Sequence, residues 1–245
     1  MKKIILSTVA VATVTLALQA AEKDAKKDPD ALVTHTELGY MQTDGNTKTK
    51  TFNLDSLLKK AWGKHHTSLE LSGQYGSADD VENKKQYLIE GNYDYAFTKH
   101  FAFNYLIGYK SDIYSGFDYQ AYTGPGAKYQ AIKNDKQELS FTANILYNQD
   151  KYYPSEDTNS YSGYRAEGAY KLNVKKDLTF IQNLSIRGDF DESDNYFATS
   201  KTALISKISD IFSAGLSYKV NYVNTPVAGK KNKDTTLTAN LIMDY

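Results

Sequence analysis

The feature that most constrains this chain is an alternation of apolar and polar residues sustained over runs of ten or more positions. Leu237, Ala239, Leu241, Met243 and Tyr245 fall on one face, and Thr236, Thr238, Asn240, Ile242 and Asp244 on the other. Phe101, Phe103, Tyr105, Ile107 and Tyr109 alternate in the same way with Ala102, Asn104, Leu106, Gly108 and Lys110. The pattern returns at 139–148 and 212–222. A period of two sends successive side chains to opposite faces of a strand. Soluble sheets use strands of roughly five or six residues, whereas a tilted strand crossing a bilayer needs about 9–11. Length therefore favours a membrane.

Twelve such segments lie between turn signals, at 32–42, 47–59, 66–77, 84–97, 100–112, 117–131, 136–150, 161–174, 177–191, 195–208, 211–223 and 234–245. The connections alternate in character. Gly63-Lys64-His65, Thr98-Lys99-His100, Lys133-Asn134-Asp135, Lys175-Lys176-Asp177 and Ser209-Asp210 are short, while 78–83, 153–160 and 224–233 are longer and polar. Asp44-Gly45-Asn46 has the composition of a tight hairpin. An open sheet of this size would leave two unpaired edges, which a bilayer does not tolerate. The expected fold is all-β: a transmembrane antiparallel up-and-down β-barrel of about twelve strands, with short periplasmic turns on one side. A secreted β-sandwich would need shorter strands and more turns.

Lys2 and Lys3, the uncharged run Ile4 to Leu18, and Leu18-Gln19-Ala20 have the order of a secretory signal peptide, cut after Ala20. The expected organisation is a signal peptide at 1–20, a flexible periplasmic tail rich in Lys and Asp at 21–31, and a barrel at 32–245 in the outer membrane of a Gram-negative bacterium. The cleaved chain would hold 27 basic and 29 acidic residues, which gives no reason to expect nucleic acid as a partner. With no cysteine there is no disulfide framework and no lipid-modified N-terminus, so closure must come from backbone pairing or a large core. The 21 Tyr and 10 Phe suit strands and membrane interfaces, and Tyr114, Phe117 and Tyr119 read as interface anchors rather than a sugar platform.

Several stretches are similar to a known family. Glu37-Leu38-Gly39-Tyr40 with Asp44-Gly45-Asn46-Thr47, then Tyr114 to Gln120, Thr202-Ala203-Leu204, and the Pro226 to Thr235 loop with Gly229-Lys230-Lys231 occur in order over 32–245. In these the chain resembles the YdiY-like family, often labelled salt-induced outer membrane protein and classed as domain of unknown function 481. The resemblance implies an outer-membrane barrel with no established activity. Tyr245 also resembles the terminal aromatic that barrel-assembly machinery recognises.

Chemistry is sparse. His35, His65, His66 and His100 show no metal-ligand spacing, and no cofactor is expected. A lipid hydrolase using a serine and a histidine would be the enzymatic alternative. No Gly-x-Ser-x-Gly elbow exists and His35 has no identifiable serine partner, so no enzyme is expected. Gly229 to Lys233 is a basic loop, either solvated or set against lipopolysaccharide phosphates or anionic solutes near the pore mouth.

The informative set is the charge on the inward face. Alternation points Glu37, Asp55, Glu70, Glu90 and Asp94 into the lumen from the first four strands. It points Lys110, Lys128, Arg165, Lys171, Arg187 and Lys219 inward from the later ones, with Glu167 and Asp189 among them. A charge facing lipid at mid-depth costs about 2–4 kcal/mol, which favours this register. Two outcomes follow. A wet lumen would make a narrow channel for small polar or charged solutes, sorted by a transverse field. Pairing across the lumen would make a closed structural or envelope-stress barrel. Twelve strands lie between side-chain-filled barrels and open porins, so size alone does not choose.

Overall fold

The computed structural model describes residues 31–43 and 48–244. The expected signal peptide, nearly all of the tail, the Asp44-Gly45-Asn46 turn and Tyr245 lie outside the described residues. Twelve strands follow one another: β1 (Val33–Thr43), β2 (Thr49–Trp62), β3 (His65–Ala78), β4 (Val81–Ala96), β5 (Phe101–Asp112), β6 (Phe117–Lys133), β7 (Gln137–Tyr152), β8 (Thr158–Lys175), β9 (Leu178–Asp189), β10 (Tyr196–Lys207), β11 (Phe212–Val223) and β12 (Lys233–Asp244). Each falls within three residues of its expected bounds. Every strand pairs antiparallel with its chain neighbours, and β1 pairs with β12, so the sheet is a closed barrel. The closing ladder is short, joining His35–Leu38 to Leu241–Asp244.

The faces are sorted opposite to a soluble protein. The outward row on β5 carries Ile107, 60% exposed, that on β7 Ile145, 65% exposed, and that on β12 Leu237, 68% exposed. Carboxylates, amides and cations fill the inward rows. This is the arrangement a hydrocarbon solvent outside and a polar interior demand. Aromatic side chains crowd both rims of the wall. Trp62 stacks on His65, and Tyr95 meets both His65 and Phe97, at the end where the barrel's chain ends lie (the terminal end). Tyr87, Tyr109 and Tyr119 stack in sequence across β4, β5 and β6 toward the opposite, distal end. Tyr119 is thus an outward aromatic, whereas Phe117 is buried against Tyr152 and Phe197 and anchors nothing at an interface. Tyr114 donates its hydroxyl to Glu82 at the distal mouth.

Local chemistry sets the connections. The polar link expected at 78–83 is a two-residue turn, because Asp79 and Asp80 both take positive φ. Asp tolerates that conformation, and such a turn matches the strands' own twist. Between β5 and β6 the chain makes a short 3-10 turn, Ile113–Ser115, capped by the Asp112 carboxylate and ended by Gly116 at φ 93. Gly124 and Gly126 flank Pro125 inside β6, where the ladder to β7 skips two residues. A β-carbon on Gly124 would lie 1.9 Å from the Ile145 carbonyl oxygen, so only glycine allows the two strands this approach. Gly124→Ala is expected to lower stability by about 3 kcal/mol, read as a shift in the urea midpoint. Gly73→Ala, where the added carbon meets nothing within 4 Å, should leave it almost unchanged.

Candidate functional site

Strand register lines up on one face of the sheet the charges that alternation points inward. On the acidic side, β1 to β4 present Glu37, Asp55, Glu70, Glu90 and Asp94. Register places Glu37 opposite Asp55 and Glu70 opposite Glu90. The other side carries Lys110 on β5, Lys128 on β6, Arg165 and Lys171 on β8, Arg187 on β9 and Lys219 on β11. Four like-charged pairs face each other on adjacent strands: Glu37 with Asp55, Glu70 with Glu90, Arg165 with Arg187, and Lys201 with Lys219. Directly opposed like charges destabilise a sheet, so each pair calls for counter-charge from across the lumen.

That counter-charge arrives in layers. Near the terminal end Lys201 reaches Glu37 at 3.2 Å and Asp55 at 3.3 Å, joining β10 to β1 and β2. His35 lies between Glu37 and Asp244, and Asn240 donates to Glu37 from β12. On another part of the wall Lys128 meets Asp94 at 2.7 Å. Asn144 donates to Asn104, which donates to Asp94. Arg165 bridges Glu90 at 2.7 Å and Glu167 at 2.6 Å, with the Tyr122 hydroxyl donating to the same Glu90 oxygen. Toward the distal end Arg187 lies 3.6 Å from Asp150 and donates to Asn148, its guanidinium over the rings of Tyr122 and Phe197.

Among the described residues Glu70, Lys110, Lys171 and Lys219 make no ion pair. Lys171 is exposed near the terminal end. Glu70 lies within electrostatic reach of Lys219 and Lys201 without bonding to either. Sequence reasoning missed Lys201 and Asp150. β10 alternates poorly, with Phe197 and Ile205 inward and Ser200 and Thr202 outward. The one usable signal was the lysine itself, whose charge forbids the lipid face. Asp150 sits beside the distal mouth, where depth no longer dictates facing.

The distal mouth is spanned. The connection at 224–232 leans over to the 113–116 turn, and these two connections stand six strands apart in a ring of twelve. Val227 fills the space above Gly116, where an added β-carbon would come within 2.7 Å of its Cβ. The Ser115 hydroxyl lies 2.8 Å from Asp112 Oδ2 and 3.2 Å from Asp234 Oδ2. On the outer wall a shallow groove of about 720 Å³ runs over Ala143 and Ala166 between Phe141 and Leu184. Its lining is mostly outward and apolar, so it faces lipid.

None of His35, His65 and His100 hydrogen-bonds a serine among the described residues. Both His35 nitrogens are taken by carboxylates, His65 meets the Tyr93 hydroxyl, and His100 the Gln130 carbonyl.

Solved structures place the fold among outer-membrane barrels. An outer membrane channel from Pseudomonas putida F1 superposes with a TM-score of 0.53 at 9% identity, covering 91% of this chain and 100% of that one. The NanC porin gives a TM-score of 0.50 at 12% identity, covering 88% and 99%. No curated protein matches the sequence. A family model does match, over residues 36–245, from within β1 to the end of the chain. The chain belongs to the DUF481 family of proteins of unknown function.

Proposed function

We propose that this protein is a narrow outer-membrane channel for small polar or charged solutes. On this reading the terminal end faces the periplasm and the distal end the outside. Barrel-assembly machinery inserts the chain, and lipopolysaccharide borders its outer rim. The observation that carries the proposal is the set of inward charges left over once the ion pairs are made. Glu70, Lys110 and Lys219 are half-buried and bonded to no counter-ion. An uncompensated charge in a dry interior costs several kcal/mol. These residues are tolerable where water and ions reach them, and they leave opposite charges on facing walls of the path. The fold-level likeness to an outer membrane channel agrees with this reading.

A closed structural barrel is the second reading, favoured by the bridges from Lys201 and Arg165. Refolded protein in a planar lipid bilayer under a salt gradient separates the two. Discrete current steps with a reversal potential displaced from zero are expected. A correctly folded barrel that stays silent would overturn the channel and leave the bridged, structural one.

A further inference from the structure

We propose that the distal half of the lumen holds a binding site for an oxyanion, the carboxylate or phosphate group of a small hydrophilic solute, centred on Lys110, Gln120 and Asn148. The proposal deepens the channel reading and rests on it for access from solvent.

The register assembles the site. Lys110 on β5 stands opposite Gln120 on β6, and Gln120 opposite Asp150 on β7, so the three form one inward row. Asn148 lies one inward position along β7, opposite Tyr122 and Tyr161. These are enclosed groups: Gln120 is 2% exposed, and Asn148 and Asp150 are 0%. Buried polar atoms are nearly always hydrogen-bonded, and each exception calls for an explanation. Here the exceptions cluster. Asn148 Nδ2, a donor, has no partner, and Gln120 Nε2 has none but the Asp150 carboxylate it faces. The Asn148 amide cannot simply be turned over, because its oxygen accepts from Arg187 Nη1 at 3.0 Å and a guanidinium only donates. Its free N–H₂ sits beside Gly163, where an added β-carbon would approach it to 2.9 Å. The Gly188 carbonyl oxygen crowds the same point, at 2.1 Å.

Charge gives the sign of the missing partner. The charges acting on Lys110 are Asp112, Lys219, Arg187, Lys84 and Asp150, so with Lys110 itself four cations stand against two carboxylates. Asp112 is already engaged by Ser115. Asp150 faces Arg187 and accepts from the Tyr161 hydroxyl, so its charge is offset locally. The unpartnered Asn148 amide and an unpaired ammonium, with Gln120 beside them and surplus positive charge around, form an oxyanion site.

Two measurements on the refolded full barrel test this. Gluconate supplies a carboxylate with hydroxyls, and inorganic phosphate the other oxyanion. Calorimetry in detergent reads binding of each without needing a current, and bilayer recordings read block of the current by the same anions. Saturable binding by at least one is expected, weakened about tenfold by Lys110→Gln and by Gln120→Leu. Gluconate alone would identify a carboxylate site, phosphate alone a phosphate site. Binding without any current would sink the channel and keep the site. Current without binding, or binding unchanged in both variants, would overturn the site. If one variant fails to show the folded band on an unheated gel, the other decides.

Discussion

Cysteines substituted at Ser115 and Asp234 and joined by a short thiol cross-link are expected to abolish nearly all conduction through the barrel, with full recovery on cleavage of the link. The pair connects opposite sides of the distal mouth. Ser115 lies in the β5–β6 connection and Asp234 at the head of β12, and only 3.2 Å separates their side-chain oxygens. The strap at 224–232 is firm at its base, where Val223 donates to the Asn232 carbonyl and Asn224 to that of Tyr196. Its far contact is weak by comparison: one hydroxyl shared between two carboxylates and one valine over a glycine. A single net hydrogen bond contributes about 1 kcal/mol, so the uncrosslinked contact opens on a thermal scale. A covalent link removes that open state. Because the chain contains no cysteine, the introduced pair supplies its only thiols. The opposite change, replacing 225–231 with two glycines, should raise the mean current. Unaltered conduction in the linked protein would place the solute path beside the strap rather than beneath it.

The strands were legible because lipid outside and polar groups inside impose a strict period of two, and because charge is costly on the lipid face. Lys110 and Lys219 could be faced inward from their positions alone. What was not legible depends on which strands oppose one another across the lumen. Alternation gives a residue's face and, with the turns, its neighbour on the next strand. It carries nothing about contacts between strands several positions apart around the ring. The bridge from Arg165 to Glu90 joins β8 to β4, and that from Lys201 joins β10 to β1 and β2. Both depend on tilt and stagger accumulated over several ladders. The Val227–Gly116 contact is hidden for the same reason, since two loops meet whose sequences share no pattern. Asp79-Asp80 was a local miss: two aspartates read as loop polarity, yet their tolerance of positive φ makes a tight turn.

The Arg165 bridge also sets the largest expected stability effect. Arg165→Gln should destabilise the barrel by about 3–5 kcal/mol, because it strands the buried Glu90 carboxylate rather than merely removing one contact. Glu90 would lose its guanidinium while still facing Glu70 directly across the β3–β4 ladder, and Glu167 on the same strand would lose its partner too. Unfolding in urea, followed by the fluorescence of Trp62, the only tryptophan, gives the measurement. The double variant Arg165→Gln with Glu90→Gln should recover a large part of the loss, since the amide relieves the repulsion from Glu70 and still accepts from Tyr122. Lys171→Gln, on the same strand but exposed and without an ion pair, should move the midpoint by less than about 0.5 kcal/mol. A small effect at Arg165, or no recovery in the double variant, would mean that lumen water already screens this cluster. The bridge would then be an adjustable contact in a wet path rather than a brace holding β4 to β8.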